Sequence, residues 1–169
     1  MLKKKLFKAF YVVAVFIASA GFAQAAELLK PFALASTGSG DVATMVADIK
    51  AKLSNAGFEI AGEYTPYTDA TIIVVTSGSL KSAAAKSKFG GYAAGQRVSI
   101  TKVKDEVQVA YTNPVYMANA YRMSVDLSDV AANLQSALGF VKAFGPENGM
   151  SAEDVICKNE LQNRSDSFQ

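Results

Sequence analysis

The chain has no histidine and no tryptophan, and only one cysteine and four prolines in 169 residues. The missing histidine excludes most. It removes the commonest general base, and with it the Ser-His-Asp and Cys-His arrangements of nucleophilic catalysis. It also removes the commonest ligand for zinc and copper. A single cysteine, Cys157, rules out an internal disulfide and leaves a thiol that either joins two chains or is an inert passenger. Met117, Met123 and Met150 with Cys157 are soft donors that would suit Cu(I), but their spacing forms no compact motif. The alternating Asp/Asn pattern of a calcium loop is absent too. No metal and no cofactor are expected.

Acid is also missing from the start of the chain: none precedes Glu27, whereas Lys3, Lys4, Lys5 and Lys8 do. From Ala9 to Ala23 the residues are apolar or small, and Ala23-Gln24-Ala25 closes the run. A positive start, an apolar run and an Ala-x-Ala site are the three parts of a secretory signal peptide. A membrane anchor would need about 20 consecutive apolar residues, and Ala18, Ser19, Ala20 and Gly21 weaken the end of the run. Residues 1–25 are therefore expected to be removed on export, with membrane contact only during that step, leaving a periplasmic protein. Four lysines leave with them, so thirteen basic residues face fifteen acidic ones in the remaining 144. A slightly acidic domain with scattered charge gives no electrostatic case for nucleic acid.

What remains has the length of one domain. Residues 30–36 predict a strand, and Thr37-Gly38-Ser39-Gly40-Asp41 breaks it, with Ser39 or Asp41 as helix cap. Val42, Met45, Val46, Ile49 and Leu53 recur at helical spacing, and Gly57 stops that helix. Residues 58–64 alternate as a half-buried strand. The apolar run from Ala70 to Thr76 predicts a central strand covered on both faces. Next come a short helix over Leu80–Lys88, a flexible loop over 89–95 and a hairpin of 96–103 with 106–112. A helix over Val115–Met123 and an amphipathic helix ending at Gly139 complete the pattern. The order β-α-β-β-α-β-β-α-α predicts an α+β domain over 26–150, an antiparallel-rich sheet with helices packed on one face. Residues 151–169 are mostly polar and read as a loosely ordered tail.

Some of these residues resemble a known family. A helix ending in Leu53-x-x-Ala56-Gly57-Phe58 enters a strand, and an apolar strand ends in Thr76-Ser77. Arg97-Val98-Ser99-Ile100-Thr101 pairs with Val107-Gln108-Val109-Ala110-Tyr111-Thr112-Asn113-Pro114. Over roughly residues 44–121 the chain is similar to exported members of the bacterial domain-of-unknown-function 302 family. The resemblance implies a compact α+β fold able to dimerise. It implies no reaction, and no catalytic residue is carried over. The run from Gly149 to Asp154 looks like the start of a further structured segment, so a truncated or frameshifted end is one hypothesis for the polar residues beyond it.

Three segments could carry function. Ser36 to Asp41, between a strand and a helix, suggests an anion cradle. It lacks the glycine spacing and the Gly-Lys-Ser/Thr of nucleotide loops, and a loop with a cap explains it better. Gly90, Gly91 and Tyr92 lie in a glycine-aromatic stretch that either lets a ligand approach the backbone or simply connects a helix to a strand. Tyr111, Asn113, Tyr116, Met117, Asn119, Tyr121 and Arg122 fall within one short stretch. Aromatic bodies with polar tips suit pockets and interfaces, and Arg122 could grip a carboxylate. The same tyrosines and methionines could equally line a core. The pattern favours a non-enzymatic binding or dimerising module of the cell envelope, with a small molecule, an envelope protein or a second copy as partner. An enzyme with a site lacking histidine, and a structural stress-response protein with no ligand, are the alternatives.

Overall fold

The computed structural model describes residues 28–156. The expected signal segment, Cys157 and the rest of the tail lie outside the described residues. Strand β1 (Phe32–Gly38) leads to helix α1 (Val42–Asn55), then to strands β2 (Glu59–Tyr67) and β3 (Ala70–Thr76). Helix α2 (Gly78–Ala84) and a 3-10 turn over Gly90–Ala93 precede strands β4 (Gln96–Val103) and β5 (Glu106–Thr112). Helices α3 (Pro114–Ala120) and α4 (Ser128–Leu138) and a short strand β6 (Lys142–Phe144) complete the order. The six strands form one sheet in the order β2-β3-β4-β5-β1-β6, and every pairing is antiparallel.

Local chemistry explains the element ends. The Asp41 carboxylate accepts from the amides of Ala43 and Thr44 and from the Thr44 hydroxyl, so the first turn of α1 has partners for its free N–H groups. Gly57, at φ +82°, turns the chain out of α1, and the Phe58 amide returns to the Leu53 carbonyl at 3.0 Å. Ser77 caps α2 through the Leu80 amide. Asn113 caps α3, with Pro114 at the first helical position, where a missing N–H costs nothing.

The helices pack on one face of the sheet. Ile49 and Leu53 of α1, Leu80 of α2 and Leu134 of α4 meet Ile73, Val75, Val98, Ile100, Val107 and Val109 from the inner face. Each such side chain contributes roughly 1.5–3 kcal/mol when fully buried. The expected α+β architecture with helices on one face is the observed one.

Several elements differ from their expected form. The strand expected over 30–36 runs 32–38, with a bulge between Leu34 and Ser36. Helix α2 starts at Gly78 and ends at Ala84 instead of Lys88. Bonds from Lys86 to Ala83 and from Ser87 to Ala84 tighten the chain there. The expected flexible loop contains the 3-10 turn. Helix α3 stops at Ala120 rather than Met123, because Arg122 takes a left-handed conformation at φ +52° and Met123 bonds back to Ala118. Strand β6 has no counterpart among the expected elements; three residues carry too little pattern. Strand β3 is not covered by helices on both faces: Ile72 and Val74 point away from the core and stay half-exposed. Of the tail, residues 152–156 are helical, Ser151 accepts from the Asp154 amide, and Val155 is buried.

Candidate functional site

The structure divides the tyrosine-rich stretch among three places. Tyr111 is buried in the core cluster, its hydroxyl donating to the Gly139 carbonyl at 3.4 Å. Burial pushes its phenol above the ordinary value. Asn113 is engaged twice: its side chain accepts from Val115 and donates to the Lys30 carbonyl at 2.9 Å. Both residues line a hollow of about 280 Å³ between β1, α3 and α4. Tyr116 is half-buried, with its hydroxyl 3.9 Å from the Met150 sulfur, and Asn119 donates back to the Val115 carbonyl of its own helix. Met117 packs against the core.

Tyr121 and Arg122 meet the glycine-aromatic stretch. The Tyr121 and Tyr92 rings lie 5.5 Å apart, and the Arg122 guanidinium sits 4.8 Å from the centre of the Phe89 ring. Lys88 lies over the same ring at 5.4 Å, a second cation–π contact. Gly90 is buried against Ala84, whereas Gly91 and Tyr92 are exposed. The structure thus joins Tyr92, Tyr121 and Arg122 at one corner and separates them from Tyr111 and Asn113.

The main feature of the helix-free face takes in Tyr111, alone of the candidate residues named from the sequence, and is otherwise built from residues that are not among them. A cleft of about 350 Å³ opens there. Antiparallel register places its residues in two rows. In one, Tyr64 stands beside Ile72, Ile72 beside Ser99, and Ser99 beside Ala110. In the other, Val74 stands beside Arg97, and Thr112 beside Phe32, which stands beside Phe144. The small residues Ser99 and Ala110 lie between aromatic ends. The Phe32 and Phe144 rings stack at 5.4 Å. Tyr64, Phe32 and Phe144 stay 51%, 39% and 37% exposed, a concentration of aromatic surface that a solvated face does not require.

Arg97 is the only charged residue lining this cleft. Among the described residues no ion pair or hydrogen bond reaches its guanidinium. The hydroxyls around it are engaged: Ser99 donates to the Ala110 carbonyl at 3.3 Å, and Thr112 donates to the Gln96 side chain at 2.8 Å. The alternation of Arg97, Ser99 and Thr101 with Val98 and Ile100 is the sequence signal for this face. Phe32 and Phe144 give none, because 112 positions separate them in the chain.

Every described Asp and Glu is exposed. The Thr44 hydroxyl and the Ala43 and Thr44 amides hold the Asp41 carboxyl below its ordinary value, and the Ser128 amide and hydroxyl do the same for Asp126. Among the described residues no three His, Cys, Asp or Glu side chains come together to hold a metal ion, and no helix is long and apolar enough to cross a membrane.

Fold and site together define a class: a single antiparallel sheet, helices on one face, and an aromatic cleft on the other. A solved structure has the same fold. It is the crystal structure of an uncharacterized conserved DUF302 protein from Bacillus stearothermophilus, with a TM-score of 0.54 and 11% sequence identity over 61% of this chain and 94% of that one. The resemblance read from the sequence therefore holds at the level of the fold. No family model matches the chain, and no curated protein matches it by sequence.

Proposed function

We propose that this chain is an exported, non-enzymatic binding module whose ligand site is the open face of its sheet. The observation that carries this reading is the cleft itself. Aromatic side chains stand at its ends and small ones line its middle. Within it stands one guanidinium that has no ion-pair partner among the described residues. Its size falls in the range of small-ligand sites, and a few polar groups in an apolar lining are typical of them. The exposure of every described carboxylate supports the non-enzymatic part, since an acid or base tuned for catalysis is normally shifted by burial or by a charged neighbour. Export rests on the lysine-rich start, the apolar run and the Ala-x-Ala site.

Native mass spectrometry of protein purified from the envelope of its host tests the reading. The expected spectrum shows a chain beginning near Ala26 with retained small-molecule mass. A bare dimer at every concentration, whose aromatic face is shielded from labelling, would replace ligand binding with self-association. A bare monomer that takes up no small molecule would remove the proposal.

A further inference from the structure

Resting on that reading, we infer that the ligand is an amphipathic monocarboxylate: one anionic head on Arg97 and an extended acyl body lying across β5, β1 and β6.

Charge selects the head. Arg97 is the sole charge lining the cleft, and no carboxylate lines it. A guanidinium binds a carboxylate through two parallel hydrogen bonds, a stronger arrangement than a neutral pair. Lys142, beside Leu34 in the neighbouring row, adds a second positive charge at the far edge of the same face. Within the cleft itself no acid pairs with Arg97, and an anionic ligand supplies the missing charge.

The lining also fits polyanions and neutral polar ligands less well. A sugar needs many hydrogen-bond partners, but the hydroxyls of Ser99 and Thr112 already donate to protein acceptors, which leaves the Tyr64 hydroxyl and the Arg97 guanidinium as the polar side-chain groups offered to a ligand. A polyphosphate needs several cations, and the cleft offers one. What remains is one negative group and a body that seeks apolar contact.

The shape then selects the body. From β4, which holds Arg97, to β6, which holds Phe144, the sheet advances three strand steps of about 4.8 Å, roughly 14 Å in all. Along that path lie Ala110, Thr112 and the stacked Phe32–Phe144 pair. A ring compound such as phenylacetate would cover only the first step or two. A medium-length acyl chain reaches from the guanidinium to the phenylalanine pair.

The experiment is calorimetric titration of the full mature chain with dodecanoate, dodecanol, dodecyltrimethylammonium and phenylacetate. Dodecanoate is expected to bind tightest. R97Q should weaken it about tenfold or more, as expected for loss of a charge-assisted hydrogen bond, while R97K keeps part of the affinity. F144A should weaken dodecanoate and leave phenylacetate nearly unchanged. Arg97 is exposed, and circular dichroism checks that each variant stays folded. Equal binding of the alcohol or the cation, or binding indifferent to R97Q, would overturn the monocarboxylate and leave a binding face of other specificity. No heat from any of the four, together with a bare chain by mass spectrometry, would overturn the binding reading itself.

Discussion

Replacing Gly90 by alanine should destabilise the domain, and the same change one residue later should not. An ideal Cβ on Gly90 would lie 2.8 Å from the Ala84 Cα and 2.9 Å from its carbonyl carbon, and closer still to the carbonyl oxygen. Carbon atoms in good contact sit at about 3.5–4.0 Å, so the end of α2 and the 3-10 turn must part by roughly 1 Å. Overpacking of this kind costs about 1–3 kcal/mol. Against it stands about 0.4–1 kcal/mol from the reduced freedom of the unfolded chain. The net expectation is a loss of about 1–2 kcal/mol, or roughly 3–8 °C in Tm for a domain of this size. At Gly91 an added Cβ would meet nothing within 4 Å, so only the favourable part applies. Urea unfolding of the two variants beside the parent measures this, with an unchanged slope confirming that stability alone has moved. If G90A is as stable as G91A, the close approach of backbone at Ala84 is not what Gly90 provides. A role for that glycine in ligand approach would then regain ground.

The core and the caps can be tested in the same way. Because burial raises the Tyr111 phenol above 10.0, its contribution is complete below about pH 10 and is lost as pH rises through the folded value. Y111F should therefore be within about 1 kcal/mol of the parent at neutral pH and lose less stability on alkaline titration, read by urea midpoints from about pH 8 to about pH 11. N113A removes the α3 cap and leaves the Lys30 carbonyl without its amide partner, so it should cost about 1–2 kcal/mol by the same assay. L134A, at a fully buried position of α4, should cost about 2–5 kcal/mol. A loss under about 1 kcal/mol there would mean that α4 is not held by the core as described.

The parts of the fold legible in the sequence are those decided by neighbouring residues. The α1 cap at Asp41, its left-handed stop at Gly57 and the hairpin around Lys104-Asp105 each depend on a few adjacent side chains. The open face depends on something no local pattern holds, namely which side of the sheet the helices choose. Ile72 to Val75 is equally apolar whether or not helices cover both sides. Tyr64, Ile72, Arg97, Phe32 and Phe144 become neighbours only through the strand order. The tyrosine-rich stretch is divided in space for the converse reason. Its residues are adjacent in the chain, but Asn113 and Asn119 direct their hydrogen bonds to backbone, and Tyr111 turns into the core.

The strand order also has a consequence for how the chain assembles. Strands β2 and β3, and β4 and β5, close as local hairpins soon after they are made. Strand β1 is made first but finds its partners last: Phe32 pairs with Thr112 and with Phe144. During synthesis the apolar segment Phe32-Ala33-Leu34-Ala35 waits until β5 has been made, and β6, which pairs with β1, joins the sheet edge only after that. Such late, long-range closure slows folding and exposes an aggregation-prone strand in the interval. A chaperone that holds the early segment would find its natural binding site there, on residues that the finished sheet encloses between two other strands.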